Sequence, residues 1–464
     1  MIKRREFLAA SSLTAIGLHL YTSGAFAATK DIKTVEHRDP GMILVRDGMK
    51  RTEKEKKKNI SPLLREEILD NPRAVFVIES NVTSQHLENG RFPAEKEQME
   101  RAGYKTAQKI FRKGTTRGGL TYIKPNYVGG FSDNENDLNN GTSTHPSFVA
   151  GFSDALSEMG NTNVMVQANG AVSHETFAKS GICEMMDDHK IIFVEGRYQD
   201  FSKYIPEEIT WVDYPDGIVM RKIPFFNPVL DKDTTFINMA KDRIHQLGIT
   251  TLTIKNLQGI MPVGFMHICR GWGTVINEPL TKASPEVYNP DYQRAIEQLY
   301  KKHANMGYKY WDEDGATKAY YDEGGWEAYQ KEELKPHYHV FWGEQWGERI
   351  MDIATNITPT VNLVEGIFGI DMAPRIHLNN FITISQSMVA CDSVAAWLMG
   401  HDPRELPYLR IANERGMGEN DIEKIQIYKI TGDDVVRVKD YRDFPRARMG
   451  VYIYSYKNNG LRFF

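Results

Sequence analysis

Cysteine is nearly absent from this chain: Cys183, Cys269 and Cys391 are the only three among 464 residues, and none lies close to another. That scarcity excludes a disulfide scaffold and any iron–sulfur or zinc cluster built from cysteine alone. Basic charge is not in excess either. Lys+Arg number 57 against 61 Asp+Glu, a formal charge of −4, with a pI of about 6.4, so no nucleic-acid footprint of clustered Lys/Arg is expected. Past Ala27 no apolar run reaches the ~18–20 residues that span a bilayer, so no stable membrane insertion is expected. The Gly-rich phosphate loop, H-E-x-x-H and G-x-S-x-G are all missing. What remains is a chain with 41% hydrophobic residues, long enough for two to four domains and a sizeable core.

Residues 1–27 read as a twin-arginine signal peptide. Lys3, Arg4 and Arg5 lead into Phe7 and Leu8, and Ala25-Phe26-Ala27 is an A-x-A cleavage signature. Ser11, Ser12, Thr14 and His19 make the intervening run less apolar than a Sec signal requires. The expectation is export by the Tat translocase, cleavage after Ala27, and a soluble periplasmic protein of net charge −6 once the net +2 of Lys3, Arg4, Arg5 and Glu6 is removed.

Residues 28–70 form a polar segment that contains the basic run Lys50 to Lys58. From about Asn71 to 272, short β-branched runs alternate with amphipathic stretches. Ala74 to Ile78, Leu120 to Ile123, Val164 to Val166, Ile191 to Val194, Thr235 to Ile237, Thr250 to Ile254 and, further on, Val361 to Val364 are expected strands. Pro146 to Gly160 has apolar residues at helical spacing, with proline at its start and glycine at its stop. The expectation is an α/β protein of largely parallel sheet flanked by helices, in two lobes with a cleft, its second part at 347–425. Residues 273–346 interrupt it as an aromatic-rich insert or lid, in which 288–346 hold Trp311, Trp326, Trp342, Trp346 and nine Tyr. A β-rich cover at 426–464 closes the chain.

In open α/β sheets ligands bind beyond the carboxyl ends of the strands. Lys255 follows the expected strand Leu252-Thr253-Ile254 and would sit at such an end, as an anion anchor, a base or a Schiff-base amine, or as the structural partner of a buried carboxylate. His245 and His267 flank it, and imidazole serves as metal ligand or acid/base. Similar polar groups follow other strands and open other helices: Lys124-Pro125-Asn126, Thr144-His145-Pro146, Asn169-Gly170 with His174-Glu175, and Cys391-Asp392 before the apolar helix from Val394. His337-x-His339 has the spacing of an alternating strand pair of ligands, without a third nearby.

These segments resemble the domain-of-unknown-function 362 family. The resemblance rests on Lys124-Pro125-Asn126, on Thr144-His145-Pro146 with Val149, and on Asn238 through His245, Lys255-Asn256-Leu257-x-Gly259 and His267. It continues in Val364-Glu365-Gly366-Ile367, Ser387-x-x-Ala390-x-Asp392-x-x-Ala395-Ala396, Gly400-x-Asp402-Pro403 and Ala412-x-x-x-Gly416-x-Gly418. Family members often carry a Cys-rich ferredoxin segment, which is absent here, so no iron–sulfur cluster is expected. A pattern-level likeness to the nickel-pincer lactate racemase family implies a cofactor anchored by Lys255, with ligand and acid/base roles for His145, His245 and His267. The resulting candidate site has Lys255, His245, His267, His145 and Asp392 as catalytic residues. Lys124, Asn126, Asn256 and Gly259 would bind a cofactor, and the three histidines a divalent transition metal. An enzyme acting by proton transfer on an anionic or sugar-like small molecule is the first reading. A non-catalytic periplasmic binding protein, or an accessory subunit of an exported redox complex, is the second.

Overall fold

A computed structural model describes residues 42–46, 63–83, 96–112, 119–127, 141–161, 163–170, 190–195, 209–245, 248–261, 285–291, 337–371, 375–450, 452–455 and 460–463. Residues 1–27, expected to be an export signal, and His174-Glu175, Cys183, His267, Cys269, Trp311 and Trp326 lie outside them.

Eleven strands form one sheet. In chain order they are β1 (Met42–Arg46), β2 (Val75–Glu79), β3 (Thr121–Pro125), β4 (Val164–Gly170), β5 (Lys190–Glu195), β6 (Thr235–His245), β7 (Ile249–Thr251), β8 (Val361–Ile370), β9 (Ile376–Ser385), β10 (Ile427–Thr431) and β11 (Asp434–Arg437). Across the sheet the order is β1-β5-β4-β3-β6-β8-β9-β2-β10-β11, with β7 folded back on β6. The five neighbours β5, β4, β3, β6 and β8 run parallel, and antiparallel strands flank them at β1 and β9. The fold is thus α/β with a mixed, largely parallel central sheet, and strands from both sides of the aromatic-rich insert join it.

Alternation along the strands sends side chains to two cores. Val75, Val77, Tyr122, Phe236, Ala240 and Val364 pack under α4 (His337–Thr355), α5 (Met388–Leu398) and α6 (Pro407–Glu414). Phe76, Ile78, Ile123, Ile237, Met239 and Leu363 face the other way, under α1 (Lys96–Ile110) and α2 (Pro146–Glu158). These two helices cross so closely that a Cβ on Gly103 would lie 1.9 Å from the Phe148 carbonyl oxygen, and one on Gly151 2.0 Å from that of Glu100. Only glycine allows that approach.

Three expectations are corrected. The strand-like run Thr250 to Ile254 ends at Thr251, and Thr253–Asn256 is a one-turn helix, α3, so Lys255 does not sit at a strand end. Cys391-Asp392 lies inside α5, whose cap is Ser387, one turn earlier. His337 and His339 occupy the first turn of a helix and are no alternating strand pair. Trp346, grouped with the insert by composition, is 2% exposed within the first core.

Candidate active site

Parallel register sets one row of polar side chains across the sheet. Lys124 on β3 pairs with Asn238 on β6, and Asn238 with Asn362 on β8. Asn362 in turn faces Ser385 on β9. Val166 of β4 pairs with Ile123, so Gln167 stands one step further on, beside Lys124. All five are buried. On this row rests the turn formed by α3 and the 3-10 segment Leu257–Ile260. Asn238 Nδ2 donates to Thr253 O (2.9 Å) and to Asn362 Oδ1 (3.0 Å). Asn256 Nδ2 donates to Lys124 O and Asn238 Oδ1, both at 2.8 Å. Gln167 Nε2 donates to Gly259 O. The block Lys255 to Gly259 is therefore held from below by side-chain amides. Lys124, fully buried, donates to Pro125 O (2.6 Å) and Asn256 Oδ1 (3.5 Å). Burial pulls its ammonium down to about 7.

Asp392 holds the same turn from above. Its Oδ1 accepts from Thr253 N (2.8 Å) and the Thr253 hydroxyl, and its Oδ2 from Ile254 N (3.0 Å). Burial pushes its carboxyl up to about 7 against these hydrogen bonds and one from Tyr408. The structure thus places Asp392, a catalytic candidate by sequence, on two backbone amides at the start of α3. Asp392→Ala strands both buried donors, and a loss of about 2–4 kcal/mol is expected in urea melts.

A second polar cluster lies beyond Pro125, where β3 ends and β6 and β8 continue. Lys241 on β6 pairs in register with Glu365 on β8, and its Nζ donates to both carboxylate oxygens at 2.8 and 2.7 Å. Glu365 also accepts from the backbone N–H of His145 (3.2 Å) and of Ile367 (3.0 Å). Asp242 is the second carboxylate. Its Oδ2 accepts from Asn379 Nδ2 (2.7 Å), while its Oδ1 lies 3.7 Å from the Lys241 amine and has no hydrogen-bond partner among the described residues. Two carboxylates thus share one ammonium, with 0–1% of these three side chains exposed. Burial pushes Asp242 up to about 7, with Glu365 raising it further and Lys241 opposing. His145 caps α2, its Nδ1 accepting from Ser147 N (3.2 Å). Burial, then the charges of Lys241 and Lys96, hold it down to about 3. A neutral ring that accepts at Nδ1 carries its proton on Nε2, which is buried and has no partner among the described residues. Asn126 is bonded to Thr144 through its backbone, which ties the end of β3 to the start of α2.

His245 ends β6. Its Nδ1 accepts from Gly248 N (3.4 Å), and its ring lies 5.8 Å from that of Trp346. Burial lowers its pKa well below the usual value, with the charges of Lys255 and Arg243 adding. The charge of Lys255 thus acts on His245 and that of Lys241 on His145. Four residues of extended chain, about 13 Å, separate Lys241 from His245. Among the described residues no three His, Cys, Asp or Glu side chains group as metal ligands. His145 would also have to give up its Nδ1 contact to present an unprotonated Nε2. These residues do not fit a metal site, and no step is drawn through one.

Sequence reading did not single out Asn362, Lys241, Asp242 and Glu365 as site residues. A signal was present: Asn238 and Lys241, and Asn362 and Glu365, stand three apart in two otherwise apolar runs, Ile237-Asn238-Met239-Ala240-Lys241 and Val361-Asn362-Leu363-Val364-Glu365. Such a shared pattern sets amide beside amide and amine beside carboxylate when the strands pair in parallel.

Fold and site together define an α/β protein with ionisable side chains buried in its parallel strands, Lys124 near the carboxyl end of β3 and Lys241, Asp242 and Glu365 within β6 and β8. The chain belongs to the family described as Domain of unknown function (DUF362), whose model matches residues 121–397, more than half of the chain and the span that holds both clusters. Neither the curated proteins nor the solved structures give a match. No helix among the described residues is long and apolar enough to cross a membrane.

Proposed function

We propose that the chain is an exported periplasmic enzyme that moves a proton on an anionic or sugar-like small molecule at the Lys241, Asp242 and Glu365 cluster of β6 and β8. The observation that carries this reading is the pair of buried carboxylates, Asp242 and Glu365, on the single amine of Lys241. Glu365 accepts four hydrogen bonds from three donors, Lys241 Nζ and the N–H groups of His145 and Ile367. Asp242 has one donor, plus an oxygen without a hydrogen bond among the described residues. Unequal environments of this kind divide two acids into a fixed carboxylate and one that takes up and releases a proton near neutrality. Asp242 is the proton carrier in this reading, and the Lys241 ammonium stabilises negative charge that develops on the substrate. The twin-arginine pattern and the A-x-A signature support export. The likeness to the lactate racemase family points to the same class of chemistry.

Incubation in D2O with a panel of 2-hydroxy acids and sugar acids tests it, with carbon-bound deuterium read by mass spectrometry. The wild-type chain should exchange one such hydrogen, faster as pH rises through 7 and Asp242 ionises. Asp242→Asn should slow exchange by about a hundredfold or more while the protein stays folded. Exchange that survives this substitution removes the assignment. A ligand-dependent thermal shift without exchange favours the alternative, a periplasmic binding protein.

A further inference from the structure

We propose that Lys124 is an imine-forming amine that captures a small aldehyde or ketone. This rests on a different residue from the Asp242 reading, and either can fail alone. Three observations converge on it. First, the lysine is wholly buried and has no carboxylate within ion-pair distance among the described residues, although a buried ammonium ordinarily has such a partner. Second, its environment offers two acceptors, Pro125 O and Asn256 Oδ1. A neutral amine has two N–H bonds, so these acceptors occupy both and leave its lone pair unshared; the third proton of an ammonium would have no acceptor. Third, Gln167 on the adjacent strand has a buried Oε1 without a hydrogen bond among the described residues, while its Nε2 donates to Gly259 O. The cover over this row is the short turn Thr253–Ile260, which rests on side-chain amides.

The chemistry balances without a further reagent. The Nζ lone pair adds to the carbonyl carbon, the C–O π pair moves to oxygen, and the nitrogen releases a proton to it. The resulting hydroxyl can donate to Gln167 Oε1. Loss of that hydroxyl together with the remaining N–H proton gives the C=N bond and one water. A small carbonyl compound without a bulky anionic group suits a row made of neutral amides.

Reductive trapping on the full chain provides the test, with acetaldehyde and cyanoborohydride as the probe and each lysine quantified after digestion. At pH 7.5 Lys124 should gain an ethyl group at least about tenfold faster than the mean surface lysine, because a larger share of it is unprotonated. Between pH 9 and 7.5 surface labelling should fall more than about tenfold and that of Lys124 by less than about twofold. The variant Lys124→Met should lose the adduct on that peptide alone, which confirms the mapping. Absence of Lys124 labelling in protein whose surface lysines react overturns the proposal, and so does a Lys124 profile that tracks the surface lysines with pH.

Discussion

Glu365→Ala should cost the folded state about 3–5 kcal/mol, the loss expected when one partner of a buried ion pair is removed. Lys241 is then left 1% exposed with only Asp242 near its amine, at 3.7 Å, and the backbone N–H groups of His145 and Ile367 lose their acceptor. The penalty comes from stranded polar groups and not from lost attraction, which makes a sharp control available. The pair Lys241→Met with Glu365→Leu removes both charges at similar volume and should recover the share of the loss due to the unpaired Lys241 ammonium, since buried pairs are often replaced by apolar residues at little cost. The N–H groups of His145 and Ile367 stay without this acceptor. Urea melts of Lys241→Met, Glu365→Leu and the double complete the cycle. A cost below about 1 kcal/mol for Glu365→Ala would mean that the ion pair is solvated in solution.

Lys124→Met should act in the opposite direction and stabilise the protein by up to about 4 kcal/mol at neutral pH. The sign follows from the proton inventory. Burial lowers the folded-state value of Lys124 to about 7, below that of the unfolded chain, so as pH falls from the ordinary lysine range toward 7 the unfolded state binds a proton that the folded state refuses. Stability is lost over that window and is level below it. The gain from Lys124→Met should therefore be full below pH 7 and fade toward pH 10, as melts across that range will show. A stability gain from deleting one side chain marks a residue placed for something other than holding the fold.

The central sheet was legible in the sequence because its strands are short β-branched runs with little competing signal. Thr235 to Ile237 and Val361 to Val364 were seen as strands, yet both run on, to His245 and Ile370. Their continuations contain Lys241 and Glu365, charges that look like strand ends until the partner strand neutralises them. Thr250 to Ile254 misled for the converse reason. Thr-Thr-Leu-Thr-Ile favours a strand by propensity, but Asp392, some 140 residues further along the chain, satisfies the amides of Thr253 and Ile254 and turns them into a helix. Ile376–Ser385 went unread because Asn379 and Asn380 interrupt it, the latter with φ of 54°. Of the site, the individual residues Lys124, His145 and Asn256 were visible, whereas their grouping was not. Register decides which side chains stand abreast, and no local pattern states it.

The sheet order has a consequence for how the molecule is made. Val75–Glu79, the second strand to be synthesised, is sandwiched between Ile376–Ser385 and Ile427–Thr431. Some three hundred residues must leave the ribosome before either neighbour exists. Closing so large a loop carries an entropic toll that is met before any contact rewards it. Assembly of this half of the sheet is accordingly a late event that follows completion of the chain, and until then the early segment waits with both backbone edges unpaired, the state in which a nascent polypeptide has most need of a chaperone.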